Sequence, residues 1–151
     1  MASFLPPNHK ERKMVSEKEQ QEITQIIRDA IGWALNKDFD RLYSIMANDD
    51  DFFIFHPDSR STIRGFEAFR QMAECVFRND SFKATDFKVK DLQLNLSASE
   101  CCAWWACLLD DHYEWDGTPG GWDDVRWTGT LEKRDDRWVI VQMHFSFPRD
   151  D

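Results

Sequence analysis

Val125-Arg126-Trp127-Thr128-Gly129-Thr130-Leu131-Glu132-Lys133, then Arg134-Asp135-Asp136-Arg137, then Trp138-Val139-Ile140-Val141 is the stretch on which the reading of the fold turns. Val125, Trp127, Gly129 and Leu131 alternate with Arg126, Thr128, Thr130 and Glu132. A period of two marks a half-buried strand. The charged tetrad reads as a hairpin turn, and the apolar run beyond it as the returning strand, Trp138 to Phe147, stopped by Pro148.

Toward the N-terminus the same period reaches back to residue 82. Asp116 to Gly121 reads as a turn, with no helix after it to make a phosphate loop. Cys101 to Trp115 is a long strand, apolar on both faces as far as Leu109. Phe87, Val89, Leu92, Leu94 and Leu96 mark another, with a bulge expected near Asp91 where the parity slips.

Before residue 82 the period is helical. Ser16 and Glu19 form a capping box, and Ile23, Ile26, Ile27, Ala30, Ile31 and Ala34 give one apolar face. That helix should stop near Asn36-Lys37. Asp38 should cap a short second helix carrying Phe39, Leu42, Tyr43 and Met46. Phe52 to His56 reads as a short strand closed by Pro57, with a polar turn from Asp58 to Thr62. A third helix should open at Arg64-Gly65, with Phe66, Phe69, Met72, Ala73, Val76 and Phe77 on one side, and end at Asn79-Asp80. Helices first and consecutive long strands last predict an α+β fold, with the helices on one face of a curved antiparallel sheet. Parallel α/β folds need strands alternating with helices and are excluded.

The chain has 151 residues, enough for one domain with a sizeable core. Residues 1–15 have no apolar period and read as a flexible tail before a single domain at 16–151. The net charge of −9 argues against a nucleic-acid or anionic-membrane partner. No apolar run is long enough for a membrane helix, and Met1 to Lys13 lacks a signal-peptide stretch. The four cysteines show neither a disulfide framework nor a zinc pattern, and are expected to be reduced and mostly buried in a cytoplasmic protein.

Asn36-Lys37-Asp38-Phe39-Asp40, Phe52-Phe53-Ile54-Phe55-His56-Pro57, Arg64-Gly65-Phe66-Glu67-Ala68-Phe69 and the closing Trp138 to Pro148 stand in an order that resembles the SnoaL-like branch of the nuclear transport factor 2-like superfamily. The resemblance covers about Ser16 to Pro148. It implies a cone: a strongly bent sheet around helices, with a pocket at the wide end and pairing through the outer face of the sheet. Relatives include ketosteroid isomerases, cyclases, dehydratases, the association domain of calcium/calmodulin-dependent kinase, and adaptors without chemistry, so the fold leaves the function open.

His56-Pro57 stands where the isomerase pattern has its acidic base before a proline, and a histidine accepts protons near neutral pH. A strand-end histidine can also simply pack. The isomerase tyrosine is replaced by Ile31, and its sheet acid falls near Trp127, so steroid isomerase chemistry is not expected. His144 and Ser146 match positions of the kinase association domain. The arginines of that domain's pocket match Phe145 and positions near Leu108 and Gly129, so its anionic pocket is not expected, and His144 reads as structural. A tryptophan cage for a cationic ligand is disfavoured, because Trp104 and Trp105 face opposite ways. The clusters Asp49-Asp50-Asp51, Asp110-Asp111 and Asp123-Asp124 read as solvated loop and strand ends, and no metal site is expected.

The expectation is therefore a small-molecule-binding protein with an apolar, aromatic pocket formed by Trp33, Phe52, Ile54, Phe69, Trp127 and Phe145, His56 at its rim. Were it an enzyme, it would isomerise, cyclise or dehydrate a largely apolar carbonyl compound without a cofactor, His56 as base and Tyr43 and Trp127 as donors. The alternative is a non-catalytic dimerisation or association module with a vestigial pocket. On either reading the doubly apolar Cys101–Leu109 strand predicts a homodimer through the outer sheet face.

Overall fold

The computed structural model describes residues 9–58 and 62–150, with side chains from Ser16 onward. Helix α1 runs His9–Gly32 and passes through a 3₁₀ turn, Trp33–Leu35, into α2, Phe39–Ser44. The Asp38 carboxylate caps α2 as expected, accepting from the Arg41 N–H at 3.1 Å. β1 is Phe53–Phe55, β2 is Ile63–Arg64, and α3 is Phe66–Val76. Four long strands follow: β3 Phe82–Leu96, β4 Cys102–Trp115, β5 Thr118–Arg134 and β6 Arg137–Ser146.

The strands form one sheet in the order β2-β1-β6-β5-β4-β3. β3 to β6 are an antiparallel meander, and β1 adds to β6 in parallel, with Phe55 opposite His144. The sheet curves around the helices without closing, the α+β cone the sequence predicts. Its inner face and the helices share one core holding Ile23, Ile27, Leu42, Ile54, Trp105 and Leu131. The bulge near Asp91 is present: the register of β3 slips between Lys90 and Gln93, and Asp91 takes φ 54°.

Several local expectations are corrected. α1 begins at His9, before Ser16, because lysine, glutamate and arginine continue a helix backbone without an apolar face. Residues 1–8 of the expected tail lie outside the described residues, as do 59–61 of the polar turn. The capping box is not formed: Ser16 donates to Glu100, and the Glu19 carboxylate accepts from Lys133 Nζ at 2.7 Å and from the Trp138 indole. Ile63–Arg64 forms a short strand against β1 rather than the start of a helix. The turn expected over Asp116–Gly121 shrinks to Asp116-Gly117, and Pro119 to Gly121 pair with β4. Asp116-Gly117 and Asp135-Asp136 all have positive φ, matching the two-residue turns that suit the twist of a hairpin. In β6 the register slips between Gln142 and Ile140, and Val141 between them is half-buried and does not share the buried face of Met143 and Phe145. All four cysteines are free, but Cys75 and Cys101 are exposed.

Candidate functional site

β4 determines the site. Its inward residues are Ala103, Trp105, Cys107 and Leu109, all buried, and the alternation continues through Asp111, Tyr113 and Trp115. The first four meet the helices in the core. The last three extend past it and line a cavity of about 300 Å³ between the sheet, the end of α1 and α3. That volume is at the lower end of the roughly 300–1,000 Å³ typical of small-molecule sites.

Of the residues expected at the pocket, Trp33, Ile54, Phe69 and Phe145 line this cavity, and so does His56. Ile31, in the position of the isomerase tyrosine, lines it too. His56 follows β1, so its ring lies beside Phe145 of β6. The two rings are parallel within 7° with centroids 5.3 Å apart. Phe145 is in turn parallel to Trp127 of β5 within 9° at 5.6 Å. Because β6 separates β1 from β5, the three rings form one stack that ends in His56 at the cavity wall.

Three expected site residues fall outside the lining. Trp127 is fully buried behind Phe145, its ring edge-on to Trp105 at 5.3 Å. Its indole N–H has no hydrogen-bond partner among the described residues and does not line the cavity. Phe52 is fully buried against Phe69 in the core. Tyr43 donates to Glu74 at 2.8 Å, and burial together with that carboxylate pushes its pKa up to about 12. It is thus engaged elsewhere and a weak acid.

His144 lies on the outer face of the sheet, its ring 5.8 Å from Phe55, and Ser146 there accepts from Arg126 at 3.2 Å. Neither lines the cavity, in keeping with the structural reading of His144.

The residue that sequence reasoning misses is Asp111. The sequence groups it with Asp110 as a solvated strand end, yet the two carboxylates part company. Asp110 accepts from Lys90 at 2.8 Å, whereas Asp111 turns to the cavity and makes no hydrogen bond or ion pair with a described residue. Burial pushes its carboxyl up from the ordinary 3.8 to about 6, with His112 acting weakly the other way. The signal lies in the parity: Asp111 shares its face with Leu109 and Cys107. Gly121, at φ 132°, brings β5 against this turn of β4. A Cβ there would stand 2.1 Å from the Asp111 carbonyl oxygen, so the approach needs glycine.

Trp115 and Trp122 also line the cavity, which the sequence does not predict. Trp122 pairs with Asp111 across the β4–β5 ladder, and its ring lies 6.3 Å from that of His56. No lysine or arginine lines the cavity among the described residues, and no group of metal-ligating side chains is found among them.

A family model described as "SnoaL-like domain" matches residues 23–150. No curated protein matches the chain in sequence. Similar solved structures include a proposed scytalone dehydratase from Novosphingobium aromaticivorans (TM-score 0.75, 13% identity, covering 88% of this chain and 86% of that one). The association domain of C. elegans CaMKII is also similar (TM-score 0.64, 17% identity, covering 87% and 97%). So is an NTF2-like protein of unknown function from Pseudomonas putida (TM-score 0.67, 17% identity, covering 89% of each). At these identities the likeness establishes the fold.

Proposed function

The chain belongs to the SnoaL-like family, and we propose that it binds a small, largely apolar molecule in the cavity and moves a proton on it with His56. The observation that supports this reading is an open apolar cavity with a histidine in its wall. An apolar ligand gains by leaving water for the aromatic walls, at roughly 25 cal/mol per Å² of apolar surface buried. His56, backed by the flat face of Phe145, is a proton acceptor placed against that ligand. Isomerisation, cyclisation and dehydration need such a base and no cofactor. The proposed dehydratase among the similar structures agrees with this class, at the level of fold.

The rival reading, an association module, draws support from the kinase association domain among the similar structures and from the exposed Trp104 on the outer face. It expects a cavity that no small molecule enters. A thermal-shift screen of small neutral aromatic ketones and phenols separates the two. Ligand-dependent stabilisation is expected, and a flat response across the screen would favour the association module. With a turned-over compound in hand, His56→Ala should lower the rate by about 10²–10⁴, the usual worth of a general base. An unchanged rate would move the base elsewhere.

A further inference from the structure

The geometry points to Asp111 as the anchor for a positively charged nitrogen: we infer that the cavity takes a small organic amine, its ammonium group on the Asp111 carboxylate and its apolar body along the aromatic walls. The inference rests on the reading that the cavity binds a small molecule, and adds the charge of that molecule.

A carboxylate turned into an apolar space is costly unless something pairs with it. Among the described residues nothing does. The nearest cations in sequence and on the sheet are committed elsewhere. His112 bonds Asp123 at 2.7 Å, and Lys90 joins Asp110 and Asp124. His112 lies on the other face of β4, and Lys90 of β3 reaches Asp110 on that same face. Lys37 lies 5.8 Å from the Phe82 ring, but its ammonium donates to the Asn79 carbonyl at 2.9 Å and the residue does not line the cavity. Among the described residues the lining thus carries one carboxylate, one histidine and one phenol as its titratable side chains, with no fixed positive charge to receive an anion.

The surroundings of Asp111 fit a cation in a second way. Tyr113 and Trp115 follow it at alternate positions on β4, and Trp122 stands across the ladder. These rings line the same cavity as the carboxylate, and an aromatic π face attracts an ammonium group, so carboxylate and rings together suit a cation with an apolar body. At slightly alkaline pH the carboxyl, although raised by burial, is ionised. The chain's net charge of −9 favours the approach of cations over anions. The tryptophan cage disfavoured from Trp104 and Trp105 is replaced by a different set, Trp33, Trp115 and Trp122, drawn from three elements.

The test uses three compounds of nearly one shape: 3-phenylpropylamine, 3-phenylpropan-1-ol and 3-phenylpropanoate. Binding to the full chain is measured at pH 8 by calorimetry and by the fluorescence of the cavity tryptophans. The amine should bind about tenfold or more tightly than the alcohol, the scale of one hydrogen bond to a charged group, and the carboxylate most weakly. In Asp111→Asn the ratio of amine to alcohol affinity should fall to about one. Equal binding of amine and alcohol by the natural chain, tighter binding of the carboxylate, or a ratio that survives in Asp111→Asn would each overturn the inference while leaving a small-molecule cavity standing. Failure of all three compounds to bind would remove the cavity reading itself, and this inference with it. The comparison within the natural chain needs no variant, so a folding defect in Asp111→Asn cannot shield the inference.

Discussion

Asp111 and Asp110 are neighbours in the chain with opposite physical chemistry, because successive strand residues face opposite sides of the sheet. Asp110 is held below the ordinary carboxylate range by Lys90, while burial holds Asp111 at about 6. The raised value has a definite consequence for stability. Between the ordinary carboxylate pKa and about 6, the folded chain keeps a proton that the unfolded chain releases. Asp111 therefore favours the fold most below the ordinary value, and that contribution is lost as pH rises through about 6. A shift of this size corresponds to about 3 kcal/mol, which solvent screening of a half-buried carboxyl reduces to about 1–3 kcal/mol. Asp111→Asn should accordingly be more stable than the natural chain at pH 8 by that amount, and the difference should close below pH 4. Urea unfolding at the two pH values measures it. A variant less stable at pH 8 would reveal a partner for the carboxylate. Cys107 shares the inward face with Asp111, and burial pushes its thiol up to about 12, whereas Cys101, of the same parity, lies just before β4 begins and is exposed.

At the scale of elements, α1 is pinned to the sheet by a polar contact rather than by a cap. Glu19 is 8% exposed and joins Lys133 at the end of β5 to the indole of Trp138 at the start of β6. Burial raises its carboxyl, but the bonds from Lys133 and Trp138 outweigh that and hold it below the ordinary range. The contribution is present above the ordinary carboxylate pKa and lost as pH falls through the lowered value. Glu19→Ala leaves a buried indole N–H and a lysine without their acceptor, and should cost about 1–3 kcal/mol at neutral pH. Denaturant midpoints of the variant against the natural chain, with Glu19→Gln recovering part of the loss through the indole, give the test. A midpoint unmoved in Glu19→Ala would mean that α1 is held by its isoleucine face alone. Where β4 crosses β5, Trp105 occupies the space a side chain at Gly129 would take: a Cβ there would meet its ring at 2.1 Å. That close approach sets the floor on which Trp127 and Phe145 stack.

The whole molecule presents an outer sheet face on which Trp104 is 46% exposed beside Ala106 and the half-buried Leu108. Thr128, Thr130, Gln142 and His144 pair alongside it on β5 and β6, a polar border around the apolar patch. We propose that a second copy of the chain covers this face in a two-fold homodimer, as the doubly apolar strand predicts. A stable contact should bury at least ~1,000 Å² in total and must outweigh the mutual repulsion of two acidic chains. Sedimentation at micromolar concentration should give about twice 17.9 kDa. Trp104→Glu should shift the chain to monomer. A natural chain that sediments as a monomer would sink the proposal.

The sequence alone determined the order of elements, the α+β layout and the division of each long strand into two faces, because periods of 3.6 and two are local properties of the chain; the cone came from the family resemblance. It placed His56, Trp33, Ile54, Phe69 and Phe145 at a common cavity through the family resemblance and that parity. It misplaced Phe52 and Trp127, because both face inward yet lie where the core is closed, and depth along the cone is not encoded in alternation; Tyr43, half-buried on α2, turns instead to Glu74. Glu19 matched a cap locally while its partners lay on distant strands. Asp111 was hidden for the converse reason. Its local neighbours are acidic and polar, and only the packing of β5 over β4 at Gly121, with the helices ending short of the strand, encloses its carboxylate. Tertiary structure thus decided which inward residues meet core and which meet empty space, since the volume left between sheet and helices depends on the curvature of the whole sheet and on no single segment.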